Sequence, residues 1–293
     1  MPSTSDNYFI PEILEGAVQG AFAGRTALAG TRAAVVRTGL PMGSQKGGKK
    51  VIIPYFGDIG ELEDLASELD SLSPAELAMT DEEAEVQHSG KMFSVTDAAE
   101  IFAEYADPYN EAARQIAVAV FRRGDKALID VAVSSGLPSG MIKDVWSSST
   151  PRKMDYDLIV DAKMSWGDEQ SDIALMVIHS KVYGDLLKIK ESTGKPILTD
   201  AREGEVQRFC GIPIIVSDRL PVDTTDPSHP KYTSVLAKAN ALALWLAKSP
   251  KVMEDVNIAN NSRSMAVHVY WAAHRYKRLP GSTLGGIVLA KHN

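Results

Sequence analysis

The sequence predicts an α+β protein in which one long helix is set among many strands, and three observations carry that reading. A helical pattern runs from Asp107 to Gly136, well beyond average helix length. Short β-branched and aromatic runs bounded by Gly, Pro, Asn and Asp lie before and after it. Between two of the earliest runs stands a block of one charge sign, residues 51–90, with eleven Asp or Glu and no Lys or Arg.

Taken in order, residues 1–48 are rich in Ala, Gly, Thr and Arg with weak periodicity, and are expected to form an extended arm with at most a short helix such as Pro11–Gln19. The run Lys50–Phe56 is β-branched and aromatic, and Pro54 marks it as an edge strand. Residues 57–85 are acidic and broken by Gly57, Gly60 and Pro74. The following "AEVQHSGKMFSVTD" alternates at Val86 and His88, then Phe93 and Val95, as a strand does. Two strands flanking some thirty acidic residues make a long hairpin, and so long a loop is generally functional.

The helix comes next. Asp107 suits the N-cap, Pro108 the first turn, and Gly136 the C-terminal stop. The span of about 28 residues is roughly 42 Å long at 1.5 Å per residue. Ala113, Ile116, Ala117, Val120, Phe121, Leu128, Val131 and Ala132 recur at three- and four-residue spacing, while Arg122, Arg123, Asp125 and Lys126 are expected to face elsewhere. Gly124 weakens the middle and marks a bend or a close contact.

Residues 156–249 carry further strands. These are "DIALMVIHS", with Ser180 as N-cap of a following helix "KVYGDLLKIK", then "GKPILTD" and "GIPIIVSDRLP". The run "YTSVLAKANALALWLA" fits a buried strand or a helix, and periodicity does not decide between them. The end reads as two strands around Asn260–Asn261–Ser262 and a closing strand "LGGIVLA".

Composition narrows the function. At 293 residues the chain holds one large domain or two smaller ones, with 44% hydrophobic and 24% charged residues, as in soluble proteins. No apolar run approaches the roughly 20 residues of a membrane span, and the N-terminus has no signal-peptide pattern. The only cysteine is Cys210, which rules out a disulfide framework and a Cys-rich zinc site. It is expected to be a small core residue. Net charge is −7, against a general nucleic-acid binder. It is spread unevenly: +3 over residues 1–50, −11 over 51–90 and +1 over the rest.

Catalytic patterns are few. Gly43–Lys49 spells G-x-x-x-x-G-K, but Lys50 stands where a phosphate loop needs Ser or Thr, and a strand-like run follows where a helix is required. His268 and His274 share a face of one strand but lie too far apart for one metal, and are read as partly buried histidines. Asp168 and Glu169 are read as a solvated turn. No catalytic, cofactor or metal residue is assigned. An arm, an acidic hairpin and a long helix favour an assembly protein.

The order of "KKVIIPYFGDIGELEDL", "VQHSGKMFSVTDAAEIFAEYADPYNEAARQIA", "VIHSKVYGDLL", "GIPIIVSDRLP" and "SMAVHVYWAAHRY" resembles the tailed-bacteriophage major capsid proteins of the Hong Kong 97-type fold, over about 240 residues from position 50 onward. The resemblance implies an N-terminal arm (1–48), an extended hairpin loop (49–92), a peripheral domain (93–155 and 250–293) with a spine helix at about 108–135, and an axial domain (156–249). It implies self-assembly as hexamers and pentamers into an icosahedral shell around double-stranded DNA, in the virion, with assembly in the host cytoplasm. Expected partners are further copies of the chain, a separate scaffolding protein, a portal, optionally a decoration protein, and DNA contacted only weakly. No cofactor and no enzymatic activity are expected. Because residues 51–90 lack lysine, the lysine–asparagine cross-link of some relatives is not expected. The acidic residues Asp58, Glu61, Glu63, Asp64, Asp81, Glu82, Glu83 and Glu85 are expected to dock on a neighbour's Lys46, Lys49, Lys50, Arg122 and Arg123. Two rival readings stand beside it: a nanocompartment shell of the encapsulin kind, and more distantly a phosphoryl-transfer enzyme using Gly43–Lys49.

Overall fold

The structure, a computed structural model, describes residues 28–40, 49–57, 62, 74, 76–96, 108–147, 151–189, 208–257, 261–279 and 284–293. The expected short helix Pro11–Gln19, the N-cap Asp107 and the strand "GKPILTD" lie outside the described residues.

Two sheets carry the fold. The first contains β1 (Ala34–Thr38), β2 (Lys50–Phe56), β3 (Met79–Thr96), β10 (Leu242–Asn257) and β11 (Ser262–Arg275), in the order β1-β10-β11-β3-β2. Every pairing is antiparallel except that of β1 with β10. The second contains β4 (Ile142–Asp144), β5 (Ile173–Ile178), β6 (Arg208–Phe209), β7 (Ile212–Val216), β8 (Val222–Asp223), β9 (Lys231–Lys238) and β12 (Ile287–His292). Its order is β4-β12-β9-β5-β7-β6, with β8 also paired to β9.

Helix α1 (Pro108–Val133) packs between the sheets. Its Ile116, Ala117, Leu128, Ile129 and Ala132 join Val267, Val269 and Trp271 of β11 and Leu175, Val177, Val235 and Leu289 of the second sheet in one core. The opposite face of the second sheet is covered by α2 (Tyr156–Met164) and α3 (Ser180–Leu187), through Leu158, Ile159, Val182 and Leu186. Strand β9 is thus buried on both faces, and this explains why its apolar run shows no two-residue alternation. "YTSVLAKANALALWLA" is neither one strand nor one helix. It is the end of β9, a tight passage at Asn240 in the left-handed conformation (φ 58°), and the start of β10. The chain therefore crosses from one sheet to the other within three residues, pinned by the Asn240 N–H to the Arg32 carbonyl at 2.8 Å.

Several expectations change here. Within the expected extended arm (1–48), residues 28–40 are packed on the body: Leu28 and Ala33 are buried, and β1 is an edge of the first sheet. Sheet membership does not follow a boundary at residue 250, since β10 begins in the first sheet at Leu242 while β4 and β12 belong to the second. The N-cap of α3 is His179, whose Nδ1 accepts from the Lys181 N–H, whereas the Ser180 N–H donates to Asp218. Cys210 is not a strand residue. Cys210 and Gly211, both at positive φ (52° and 80°), form the two-residue turn joining β6 to β7, with the Cys210 side chain half-buried against the second core. Glu169, in a 3-10 turn, is not simply solvated, because it faces the buried Lys238 ammonium at 3.5 Å.

Asp125 was expected on the outer face of the helix and is completely buried. Its carboxylate accepts from the Leu28 N–H at 2.9 Å and from Arg219 Nη1 at 2.7 Å. It thereby ties three separate segments together, which a helical-wheel reading of one segment cannot show. Burial pushes its pKa up, against the opposing pull of the Leu28 and Ala29 N–H groups and of Arg219. At the C-terminal end of α1, Arg275 of β11 donates to the carbonyls of Val131, Ala132, Ser134 and Ser135, at 3.3, 3.2, 2.8 and 3.1 Å. These carbonyls lie in and just beyond the last turn, and a cation there complements the helix dipole. Gly136 (φ 94°) ends the helix where the sequence pattern placed its stop. Gly124 is buried, and the helix runs through it without a break.

Candidate assembly interface

The hairpin of β2 and β3 is longer in strand and shorter in loop than its sequence suggests, because β3 already starts at Met79. Acidic residues 81–85 therefore belong to a strand and obey its two-residue period. Asp81, Glu83 and Glu85 are exposed, while Glu82 and Ala84 point inward with Val51. The signal was present in "TDEEAEV": Glu82 is in phase with Ala84 and Val86 and out of phase with its acidic neighbours.

Glu82 is consequently not a docking carboxylate. It accepts from His274 Nε2 at 2.5 Å and from the Lys277 N–H at 3.0 Å, with 3% of its surface exposed. The pairing of β3 with β11 ends at Val86, opposite Ala272, so Glu82 reaches back across the point where the hairpin leaves the sheet. It acts as a strut that fixes the hairpin's direction.

The exposed charges are partly spent within the chain. Lys50 Nζ meets Glu83 at 2.6 Å, both side chains being more than half exposed. The hydrogen bond and charge of Glu83, with Glu85 adding, hold the Lys50 pKa above its usual value. Lys49 is exposed, and its carbonyl accepts from the Val86 N–H at 2.6 Å. Arg122 is exposed. Arg123 lies 5.1 Å over the Trp271 ring and reaches Gln87 at 3.5 Å. Lys46, Asp58, Glu61, Glu63 and Asp64 lie outside the described residues.

Three cavities run end to end between α1 and the strands beneath it. The first, about 360 Å³, is lined by Glu83, Glu85, Asp130, Arg123 and Lys277 among others. It shares Arg123 and Trp271 with a cavity of about 460 Å³ under the helix centre. That one shares Lys91 and Ala119 with a third of about 680 Å³, lined by Lys91, Met92, Phe93, Arg114, Ile116 and Arg122. The groove is thus charge-balanced where the hairpin begins, with Glu83, Glu85 and Asp130 beside Arg123, Arg275 and Lys277, and cationic at its far end. Among the described lining residues of the far end there is no carboxylate. Among the described residues, no cluster of three or more metal-ligating side chains occurs. Where a phosphate loop would open a helix, the strand β2 follows Lys49.

A two-sheet fold built around one long helix, with a projecting charged hairpin, defines a class of subunit made to meet copies of itself. Residues 80–276 match the model of the phage capsid protein family, and the chain belongs to that family. Comparison with curated protein sequences gives no match. Among solved structures, the chain is similar to the capsid of the native GTA particle, with a TM-score of 0.64 at 16% identity, over 100% of this chain and 95% of the other. It is also similar to a structure of Microbacterium phage Oxtober96 (0.61, 12% identity, 99% and 95% covered) and to the capsid of Ralstonia phage GP4 (0.60, 8% identity, 89% of each). The fold is the Hong Kong 97-type capsid fold, and the chain is a major capsid protein that forms the shell. It is a structural protein and a component of the virion. Among the described residues, no helix is long and apolar enough to cross a membrane.

Proposed function

We propose that the chain assembles as hexamers and pentamers into an icosahedral shell around packaged double-stranded DNA, with the hairpin of each subunit docked on the next. The observation that carries this reading is the exposed acidic edge of the hairpin set against the cationic far end of the groove along α1. Asp81, Glu83 and Glu85 are exposed along the hairpin, and Lys91, Arg114 and Arg122 line the far end of the groove. A surface acidic at one end and basic at the other favours head-to-tail contact, and head-to-tail contact closes into rings when the rotation permits. Asp81, Glu83 and Glu85 supply the acidic partner and Arg122 the basic one. Lys50 is shared with Glu83 of its own hairpin and contributes less.

In this reading the first sheet with α1 is the peripheral domain and the second sheet the axial domain, whose outer end meets its copies at the symmetry axes. Each exposed ion pair contributes at most about 1 kcal/mol. Repetition over the shell makes the sum decisive, while each contact stays weak enough to correct errors. The net charge of −7 suits a container that must not grip its DNA. A separate scaffolding protein, a portal, an optional decoration protein and assembly in the host cytoplasm complete the proposal. Electron microscopy of the purified protein, alone and with a candidate scaffold, tests it. Closed shells of uniform size with five- and six-fold clusters are expected, and only soluble monomers or open sheets under both conditions would overturn it.

A further inference from the structure

The face of the first sheet turned away from α1 carries an aromatic group around His88, Tyr270 and His268. In the pairing of β3 with β11, His88 lies opposite Tyr270 and Gly90 opposite His268. The His88 ring stacks on Tyr270, with ring centroids 4.3 Å apart and planes 8° apart. His268 stands diagonally across, so that His88 Nε2 and His268 Nδ1 are 3.0 Å apart. Gly90 makes this approach possible, since a Cβ at position 90 would lie 3.1 Å from His268 Nδ1. Two ring nitrogens are thus brought together on an exposed surface by a stacking partner on one side and a missing side chain on the other.

We propose that His88 and His268 form a two-imidazole site for a borderline transition-metal ion of the zinc class, clipping β3 to β11 at the root of the hairpin. Imidazole nitrogens bind such ions at about 2.0–2.1 Å in tetrahedral geometry, which sets the two nitrogens roughly 3.3 Å apart. The observed 3.0 Å needs only a small opening, in which the hydrogen bond between the rings is exchanged for two metal bonds. Carboxylate and thiol ligands are not required, and the remaining coordination positions are left to water or to a side chain of a second copy.

The test is calorimetric titration of untagged protein with zinc chloride, for the wild type and for His88→Ala and His268→Ala. The wild type is expected to bind one zinc per chain, and each variant to lose at least about tenfold in affinity, since even residues supporting a metal ligand are worth 10–100-fold. Zinc should also slow amide exchange at residues 88–90 and 268–270 in the wild type and in neither variant. His88 is exposed, so the metal-free His88→Ala melt should match that of the wild type. Equal zinc affinity in all three proteins, or no stoichiometric binding by the wild type, would overturn the proposal.

Discussion

Strand β9 and the hairpin half of β3 show two ways of holding a strand in place. From Tyr232 to Lys238 every residue of β9 is buried, between α1 on one face and α2 and α3 on the other. From Met79 to Glu85 only Glu82 and Ala84 are buried, and the strand that flanks it, β2, is an edge of its sheet. In the first case apolar area on both faces fixes the register, and a change of packing costs global stability. In the second a small apolar cluster and one carboxylate strut fix a direction, and a change there reorients the hairpin while the core stays folded. A shell subunit needs both: a body that survives and a limb that can be redirected.

The largest expected effect lies on the buried side. Asp125→Ala removes the acceptor for Leu28 and Arg219 and leaves a cation facing an apolar gap, so unfolding should become easier by about 3–5 kcal/mol. A melting temperature within a degree or two of the wild type would show that the three-segment tie is dispensable.

Next comes acid. His292 is buried, hydrogen-bonded to Ser234 at 2.9 Å, and burial pushes its pKa down to about 4 from 6.5. The unfolded chain therefore binds a proton at higher pH than the folded one, and stability from this group is lost as pH falls from about 6.5 to 4. The loss is up to about 3 kcal/mol. Asp125 acts in the opposite sense, because its raised pKa makes the folded state the better proton acceptor. Denaturant titrations at pH 7 and pH 4.5 should differ for the wild type and differ much less for His292→Gln. An unchanged pH dependence in that variant would assign the acid loss elsewhere.

Glu82→Ala tests the other side of the comparison. It strips the strut from His274 and from the Lys277 N–H, worth about 1–3 kcal/mol. The expected signature is local: amide exchange accelerates in residues 50–56 and 79–86 but not in β9. Uniform acceleration in both regions would make Glu82 an ordinary core residue instead of a strut.

Much of this was legible before the structure. The long helix, expected at about 108–135, is Pro108–Val133, and the first hairpin strand, the strands either side of Asn261 and the closing strand lie where periodicity and turn residues placed them, while the second hairpin strand starts earlier, at Met79. Buried polar contacts between distant segments were not legible. Asp125 and Glu82 look like surface carboxylates because their neighbours in sequence are charged, and what makes them internal is Leu28, Arg219, His274 and Lys277, up to 195 residues away. Of the residues expected to dock, Asp81, Glu83, Glu85, Lys49, Lys50, Arg122 and Arg123 are exposed, and their docking belongs to the proposed assembly. The Lys50–Glu83 pair within one hairpin was missed because cross-strand diagonals depend on register, which composition does not reveal.

In the proposed shell, the acidic edge of the hairpin joins one subunit to the next. Reversing Glu83 and Glu85 to Lys together should leave the melting temperature of the unassembled subunit nearly unchanged, since both side chains are exposed. Shell yield, measured by sedimentation and electron microscopy across a salt series, should fall sharply and lose the salt dependence of the wild type. Shells of normal yield and normal salt sensitivity from that double variant would contradict the account.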